Sequence, residues 1–225
     1  MSQRYQSEII DGNAGLESSE PRPQSRTSWA TLGTPVNHLD PVTHWIWQGF
    51  LSPEACAAVK AAMDRGAADP AEILEDAIEH QEHVRRTLSI EVGAATLADL
   101  EAALESARPG LTELTGMALG VREGAGFLRY LPGGFYRPHR DRGDLPSWPG
   151  ASRRQLAVVV FLSTAREAGD PEGFTGGVLR LYPDDVEPVD IVPEAGLLVA
   201  FPATVLHEVT RVGDAVRDAV VDWFY

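Results

Sequence analysis

The sequence has a single cysteine, Cys56, among its 225 residues. One thiol cannot close an internal disulfide bond, and it cannot supply a cysteine-based zinc or iron–sulfur site. Disulfide-stabilised secreted domains and thiolate metal centres are therefore excluded. We expect a reducing, cytoplasmic location.

Long apolar runs are also missing. Residues 1–40 are polar and contain no run of about 7–15 apolar residues, which a signal peptide requires. No later stretch approaches the roughly 18 uncharged apolar residues of a membrane-spanning helix. We therefore expect no export by a signal peptide and no membrane partner.

Basic charge is scarce. The chain has 19 Lys and Arg residues against 33 Asp and Glu residues, and its formal net charge is −14. Such a charge disfavours broad contact with nucleic acid phosphates, so we expect no nucleic acid partner. Residues 129–154 are an exception, because six arginines there accompany only two aspartates. They form either a solvated surface or a positive pocket for an anionic ligand.

Composition divides the chain into an arm and one domain. Residues 1–40 lack a helical or strand period, and we expect them to form a polar N-terminal arm. Residues 41–225 are expected to form the domain. Its helical part spans 50–120, and its β-sheet core spans 121–225.

Three helices are predicted in the helical part. Ser52 followed by Pro53 is typical of a helix start, because serine caps the first turn and proline fits the first helical position. A second helix is expected from Asp69-Pro70. A third runs from Thr96 to Pro109-Gly110, where proline and glycine would end it.

After Gly120 the sequence changes to short runs rich in Val, Leu and aromatic residues, separated by turn residues. No helical spacers divide these runs, which excludes a doubly wound parallel sheet. They predict an antiparallel sandwich or barrel, and the fold class is α+β. The predicted strands are 127–131, 155–163, 177–182, 189–192, 196–201, 205–209 and 219–225.

Three residues of this half are candidate metal ligands: His139, Asp141 and His207. In extended chain, residues i and i+2 lie on the same side, so the imidazole and carboxylate of a His-x-Asp pair can converge on one ion. Two histidines and one carboxylate leave coordination positions open, as in non-haem Fe(II) oxygenases. The other histidines are expected at the surface: His38, His44, His80 and His83.

Arg217 lies ten residues after His207, and Val212-Gly213-Asp214 between them is typical of a hairpin turn. The turn would return Arg217 on the neighbouring strand, roughly 10 Å from the metal. That separation suits a dicarboxylate bound to the metal at one end and to a guanidinium at the other. The alternative is a redox-inert, cupin-like isomerase or binding module, which has no need of such a distant cation.

These motifs resemble the prolyl-4-hydroxylase-like Fe(II)/2-oxoglutarate dioxygenases, especially the branch of the HIF prolyl hydroxylases and their bacterial relatives. The resemblance runs from about Phe127 to Tyr225. It rests on YLPGGFYRPHRD at 130–141, FLS at 161–163, GGVLRLYP at 176–183, VDIVPEAGLLVAF at 189–201, HEV at 207–209 and the final VRDAVVDWFY.

The resemblance implies a double-stranded β-helix, or jelly roll, with supporting N-terminal helices. It implies that His139, Asp141 and His207 bind Fe(II). Arg217 would bind the far carboxylate of 2-oxoglutarate, and Tyr130 would lie beside the co-substrate or substrate.

On the substrate side, the resemblance implies Tyr136 and Arg137, which directly precede the ligands. The loop from Arg142 to Arg154 would cover the opening, and we expect Arg142 and Arg153 to contact the substrate.

The chain departs from its relatives at Val160 and Val221, where related enzymes have hydroxyl side chains near the co-substrate. Other residues would then have to assist Arg217 in binding the co-substrate.

The implied reaction hydroxylates an unactivated C–H bond with O2 while 2-oxoglutarate is decarboxylated to succinate and CO2. Fe(II) is the implied cofactor, and ascorbate would support it. Because related halogenases carry a small residue in place of the carboxylate, Asp141 favours hydroxylation.

Three substrate classes compete. A small molecule of amino-acid or natural-product type is expected first, then a prolyl residue of a protein, and last an alkylated nucleobase. Because the sequence ends at Tyr225, directly after the last predicted strand, we expect no C-terminal helix that would hold a peptide. The oligomeric state is left open.

Overall fold

Two antiparallel β-sheets and two longer helices make up the described part of the chain. The structure is a computed structural model, and it describes residues 36–37, 44–71, 81–144, 148–166 and 173–225. No helix within these ranges has the length and apolar content needed to cross a membrane.

The strands are short, and most of them lie in the second half of the chain. They are β1 (Val36–Asn37), β2 (Trp45–Trp47), β3 (Ala68–Pro70), β4 (Arg85–Arg86), β5 (Leu88–Ile90), β6 (Gly126–Tyr130), β7 (Phe135–His139), β8 (Leu156–Phe161), β9 (Leu179–Tyr182), β10 (Val189–Ile191), β11 (Leu198–Pro202), β12 (Leu206–Val209) and β13 (Arg217–Phe224). The helices are α1 (Pro53–Met63), α2 (Gln81–Val84) and α3 (Ala94–Thr115).

The larger sheet has the strand order β1-β2-β11-β8-β13-β6-β5-β3, and the smaller has the order β10-β9-β12-β7-β4. Phe161 and Phe201 of the larger sheet share a buried cluster with Leu181 of the smaller sheet. Val59 of α1 and Leu104 of α3 belong to a second cluster, on the other face of the larger sheet. This sandwich with external helices confirms the α+β class and the double-stranded β-helix.

Helix α1 begins as predicted. The Ser52 hydroxyl accepts a hydrogen bond from the Ala55 N–H at 3.2 Å, and Pro53 occupies the first helical position. Val59 and Met63 are buried on the same stripe of the helix. The cap and the apolar stripe therefore act together to fix the helix on the sheet.

Helix α3 contradicts the predicted stop at Pro109-Gly110, because it continues to Thr115 and ends at Gly116. Leu111, beyond the proline, is fully buried. Burying a leucine contributes about 1.5–3 kcal/mol, which is comparable to the cost of about 3 kcal/mol for proline in a helix. Gly110 also allows close contact, since a Cβ there would lie 3.0 Å from the Trp47 ring.

The second predicted helix is wrong at its start. Asp69 and Pro70 belong to strand β3, which pairs with β5. Strand β3 is the last strand of its sheet, and an edge strand tolerates proline because one row of its hydrogen-bonding groups has no partner strand. The remainder of that predicted helix, residues 72–80, lies outside the described residues.

All of the predicted strands after Gly120 are present, but β7 and the short strands β2 to β5 were missed. Strand β7 exposes Arg137 and Pro138, so it lacks the apolar alternation that marks a strand in sequence. The other missed strands are two or three residues long, which is too short for any period. Strand β1 lies within the predicted arm and pairs with β2.

Replacing Pro109 with alanine should stabilise the protein. Pro109 is exposed, and it removes one backbone hydrogen bond from the interior of α3. We expect the free energy of unfolding, measured by urea denaturation, to rise by about 1–3 kcal/mol. Glu113→Ala, exposed on the same helix, should change it by less than about 0.5 kcal/mol. A Pro109→Ala variant no more stable than wild type would contradict this account of α3.

Candidate active site

Two neighbouring strands bring two histidines together. Strand β12 pairs with β7 so that His207 lies directly opposite His139, and their ring centroids are 4.2 Å apart. The carboxylate of Asp141, just beyond β7, has one oxygen 3.6 Å from Nε2 of His139 and the other 3.6 Å from Nε2 of His207. One ligand atom from each residue lies within 4.8 Å of the others, a cluster of the size that holds one metal ion.

Backbone carbonyls orient both imidazole rings. The Nδ1–H of His139 donates to the Arg137 carbonyl at 2.8 Å, and the Nδ1–H of His207 donates to the Val205 carbonyl at 3.0 Å. Because a carbonyl can only accept, each neutral ring carries its proton on Nδ1 and keeps a lone pair on Nε2, on the side of Asp141. Two such imidazoles and a carboxylate fit a divalent first-row metal such as Fe(II).

Burial and neighbouring charge set the protonation of these groups. Burial raises the pKa of Asp141, but the imidazoles of His207 and His139 outweigh burial and hold that pKa well below its usual range. Burial, together with the neighbouring His139, lowers the pKa of His207 to about 4. At neutral pH the site therefore has an ionised carboxylate and a neutral His207, the states that bind a metal cation.

Tyr136 holds the ring of His139 by stacking. The two ring centroids are 3.4 Å apart with an interplanar angle of 18°, and the Arg85 guanidinium lies 4.6 Å from the Tyr136 centroid. Burial raises the pKa of Tyr136 to about 12, so its hydroxyl keeps its proton. The stack restricts rotation of the His139 imidazole.

One cavity of about 400 Å³ contains the three candidate ligands and lies between the two sheets. Leu128 and Val159 give much of its wall an apolar character. Trp223 also lines it, with its buried indole N–H on the side of the Asp141 carboxylate, whose pKa it helps to lower. The volume lies in the range of small-molecule sites, about 300–1,000 Å³.

Arg217 lines the same cavity and is only 1 % exposed. Its Nε donates to the Gly177 carbonyl at 2.9 Å, and its guanidinium lies over the rings of Tyr130 and Phe161, at 4.8 and 5.2 Å. Within the described part of the chain, no carboxylate lies at ion-pair distance from it. Burial lowers the pKa of Arg217 by more than the nearby Tyr130 and Asp218 raise it, because a buried guanidinium with no ion-pair partner in contact is costly. A carboxylate ligand in the cavity would neutralise it.

Arg217 reaches the cavity by a different route from the predicted hairpin. Strands β12 and β13 do not pair, because the chain crosses between them from the smaller sheet to the larger. The sequence predicted a turn at Val212-Gly213-Asp214 but could not tell which sheet receives the next strand. His207 and Arg217 nevertheless line one cavity, since the inner faces of both sheets border it.

Gly177 provides the space that Arg217 occupies. Its φ is +62°, a conformation that side chains disfavour. A Cβ at this position would lie 2.8 Å from Cδ of Arg217 and 2.8 Å from the ring of Phe174. Glycine is therefore needed for both the backbone conformation and the approach of the guanidinium.

Comparison with known proteins gives a consistent result. Residues 125–225 match the family model described as the 2OG-Fe(II) oxygenase superfamily. A PKHD-type hydroxylase of Synechococcus elongatus is 34 % identical over 97 residues, which are 43 % of this chain and 40 % of the relative. A solved Pseudomonas putida prolyl-4-hydroxylase has 27 % identity and a TM-score of 0.63, covering 81 % of this chain and 91 % of its own.

A prolyl hydroxylase from Trichoplax adhaerens, solved with a hypoxia inducible factor oxygen degradation domain peptide fragment, shares the fold. It has 20 % identity and a TM-score of 0.65, covering 81 % of this chain and 83 % of its own. Residues 125–225 are thus similar to the 2OG-Fe(II) oxygenase superfamily, and the described fold is similar to that of a solved prolyl-4-hydroxylase. The resemblance seen in the sequence is thereby confirmed.

The superfamily uses Fe(II), 2-oxoglutarate and O2. The chain spans about two fifths of the length of the curated relatives it matches.

The oxygenase domain brings two of the other predicted site residues to the cavity wall, Tyr130 and Tyr136. Tyr130 is buried and pairs across the sheet with Arg217, which explains the contact between its ring and the guanidinium. Tyr136 reaches the metal side of the cavity through its stack with His139.

Three predicted substrate residues do not line the cavity. Arg137 follows Tyr136 on β7 and points to the outer side, where its Nε donates to the His83 carbonyl at 2.7 Å. Arg142 is exposed. Arg153 is also exposed, and its guanidinium lies 4.7 Å from the Tyr225 ring centroid.

Val160 and Val221, the two valines expected near the co-substrate, lie in different places. Val221 lines the cavity as expected, but Val160 belongs to the buried cluster on the helix side of β8. Val159 lines the cavity instead, because neighbouring residues of a strand point to opposite faces.

The arginine-rich segment is largely neutralised rather than gathered into one pocket. Arg129 pairs with Asp218 and Asp64, and Arg154 pairs with Glu123. Arg154 alone of the six arginines lines the cavity, and sequence reasoning missed it. Its ion pair with Glu123 spans 31 positions and its ring contact is with Trp223, near the other end of the domain, so no local pattern marks it.

The prediction that the remaining histidines lie at the surface is confirmed only in part. His44 is buried, at 8 % exposure, whereas His83 is exposed. His38 and His80 lie outside the described residues.

Replacing Arg217 with leucine should weaken 2-oxoglutarate binding and spare metal binding. The substitution removes a charge-assisted contact worth about 1.5–3 kcal/mol, so the Kd for 2-oxoglutarate should rise at least about tenfold. Calorimetric titration of the Mn(II)-loaded protein under nitrogen measures this Kd, and titration with Mn(II) alone measures metal affinity.

Arg180→Leu is the matched control, because Arg180 pairs with Asp190 on the outside of the smaller sheet. An unchanged 2-oxoglutarate Kd in the Arg217 variant would assign the clamp to another cation.

Proposed function

We propose that this domain is an Fe(II)/2-oxoglutarate-dependent hydroxylase of unactivated C–H bonds. The observation that supports it most is the presence, in one cavity, of the His139, Asp141 and His207 cluster and the buried guanidinium of Arg217. A redox-inert metal module needs the ligands but has no use for an un-neutralised cation in the same cavity. The proposed reaction converts R–H, 2-oxoglutarate and O2 into R–OH, succinate and CO2.

In this proposal His139, Asp141 and His207 hold Fe(II). The bound metal supplies the activation of O2 that protein side chains cannot provide. The carbonyls that accept from both Nδ1 atoms keep the Nε2 lone pairs available. Tyr136 contributes by restricting the His139 ring, so the donor set needs little rearrangement on binding.

Arg217 binds the far carboxylate of 2-oxoglutarate in this proposal. Its Nε–H donates to the Gly177 carbonyl, and this hydrogen bond orients the planar guanidinium. The N–H groups on its two Nη atoms remain for an anion. Val159 and Val221 offer no hydrogen bonds, so the polar groups beside the co-substrate on this wall are the Arg217 guanidinium and the Tyr130 hydroxyl. The apolar lining also excludes water from the reacting carbon.

For the substrate, we propose a small molecule of amino-acid or natural-product type. The cavity of about 400 Å³ also has to hold the co-substrate, which leaves room for a compact group. A prolyl residue of a protein is the second candidate. It is favoured by the 27 % identity with the Pseudomonas putida prolyl-4-hydroxylase over 81 % of this chain.

We also propose a cytoplasmic location and the division into an arm at 1–40, which pairs with the domain through β1, and a domain at 41–225. The single cysteine is free and buried, which suits a reducing compartment.

The experiment that tests the function incubates the protein with Fe(II), ascorbate and 2-oxoglutarate in air, with and without candidate substrates. Succinate is measured, and products are searched for a mass gain of one oxygen. A small-molecule library and a set of proline-containing peptides separate the two substrate classes. A folded, iron-loaded protein that forms no succinate with either set would favour the redox-inert module.

Asp141→Ala should abolish succinate formation without unfolding the chain. Loss of a residue that hydrogen bonds a metal ligand lowers activity by up to roughly 100-fold. Loss of the ligand itself should lower the rate of succinate formation by more than that. The midpoint of thermal unfolding should stay within a few degrees, because Asp141 lies outside the strands. Asp99→Ala, exposed on α3, is the control for removal of a carboxylate. Collapse of the Asp141→Ala thermal transition would indicate a structural metal instead.

A further inference from the structure

Asp141 is the one candidate ligand that no strand holds. His139 ends β7 and His207 lies within β12, so the hydrogen-bond ladder fixes both of their backbones. Asp141 lies beyond β7, in a bend. The position of its carboxylate therefore depends on contacts from outside the ladder.

The peptide group between Asp141 and Arg142 is hydrogen bonded at both of its polar atoms. The Arg142 N–H donates to the Ala203 carbonyl at 2.9 Å. The Asp141 carbonyl accepts from Nη1 of Arg154 at 3.1 Å. A peptide group is planar and includes the Cα atom of Asp141, so these two bonds fix the orientation of that plane. The direction in which the Asp141 side chain leaves Cα is thereby restricted. The side chain of Arg154 is thus one of two contacts that fix this peptide group, while His139 and Trp223 contact the carboxylate itself.

Arg154 is itself held rigidly. It is 3 % exposed, and its Nε donates to Oε2 of Glu123 at 2.7 Å while Nη2 donates to Oε1. Its guanidinium lies 3.8 Å from the Trp223 ring centroid. The Tyr225 hydroxyl donates to the same Glu123 carboxylate at 2.9 Å. With the guanidinium plane fixed by these contacts, Nη1 is directed at the Asp141 carbonyl.

The charge of Arg154 separates its role from that of Arg217. Both arginines line the cavity, but Arg154 is paired with Glu123. That ion pair leaves little charge for an anionic ligand, so Arg154 is poorly suited to bind a carboxylate from the cavity. Beyond the two N–H groups that bond Glu123, one N–H on Nη1 is taken by the Asp141 carbonyl.

We propose that Arg154 is a positioning residue for Asp141. It acts through the backbone carbonyl of that ligand, with Glu123 holding the guanidinium in place. The inference rests on the proposed function, because it requires a metal at the His139, Asp141 and His207 cluster.

The test measures the affinity of the full chain for Co(II), a divalent probe with a visible absorption spectrum. The main variant is the double substitution Arg154→Met/Glu123→Gln, which removes both charges together and so leaves no buried unpaired carboxylate. We expect the Kd for Co(II) to rise about 10–100-fold. The Co(II) spectrum should also change, because the carboxylate no longer meets the metal in one orientation.

A second variant, Arg154→Lys, covers the case in which the double variant fails to fold. Lysine keeps a charge beside Glu123, but its donors lie on one nitrogen and cannot reach the positions that the three guanidinium nitrogens occupy, so the Kd should rise in the same direction. Arg180→Ala is the matched control, since it breaks an Arg–carboxylate pair with bonds of 2.6 and 2.8 Å on the outer surface. Its Kd should stay within about twofold of wild type.

The outcomes separate this inference from the proposed function. Weaker binding and a changed spectrum in either folded variant, with wild-type behaviour in the control, support it. A folded variant with the wild-type Kd and spectrum overturns it and leaves the proposed function standing. A wild-type protein that binds no Co(II) overturns both.

Discussion

The pairing of β12 with β7 is the constraint on which the site depends. It sets His207 opposite His139, and a slip of one residue would turn His207 to the other face of the sheet. The same pairing contains an irregularity, because His207 and Val209 oppose His139 and Tyr136. An interval of two residues on β12 is thus paired with an interval of three residues on β7. This bulge lets Tyr136 and His139 lie on one side and stack, which regular alternation would prevent.

The two sheets contribute different parts of the site. The histidines belong to the smaller sheet and Arg217 belongs to the larger, and the cavity lies between them. A co-substrate that contacts both the metal and Arg217 would therefore connect the two sheets. Ligands that bind only the folded state stabilise it, so metal and co-substrate together are expected to stabilise the sandwich more than the metal alone.

How much the sequence predicts depends on whether a signal is local. The His-x-Asp spacing, the Ser52 cap and the apolar runs after Gly120 are local, and each led to the observed arrangement. The end of α3 was missed because the burial of Leu111, beyond the proline, offsets the cost of a local helix breaker. The crossing between β12 and β13, and the choice of Arg154 over Arg153, depend on contacts between distant segments, which no local pattern encodes.

The most direct test of the account is a crystal structure grown without oxygen in the presence of Fe(II) and 2-oxoglutarate. The account predicts an anomalous iron peak within bonding distance of Nε2 of His139, Nε2 of His207 and the Asp141 carboxylate. It further predicts that the far carboxylate of 2-oxoglutarate accepts hydrogen bonds from Arg217. Iron bound elsewhere, or a co-substrate carboxylate turned away from Arg217, would contradict the account.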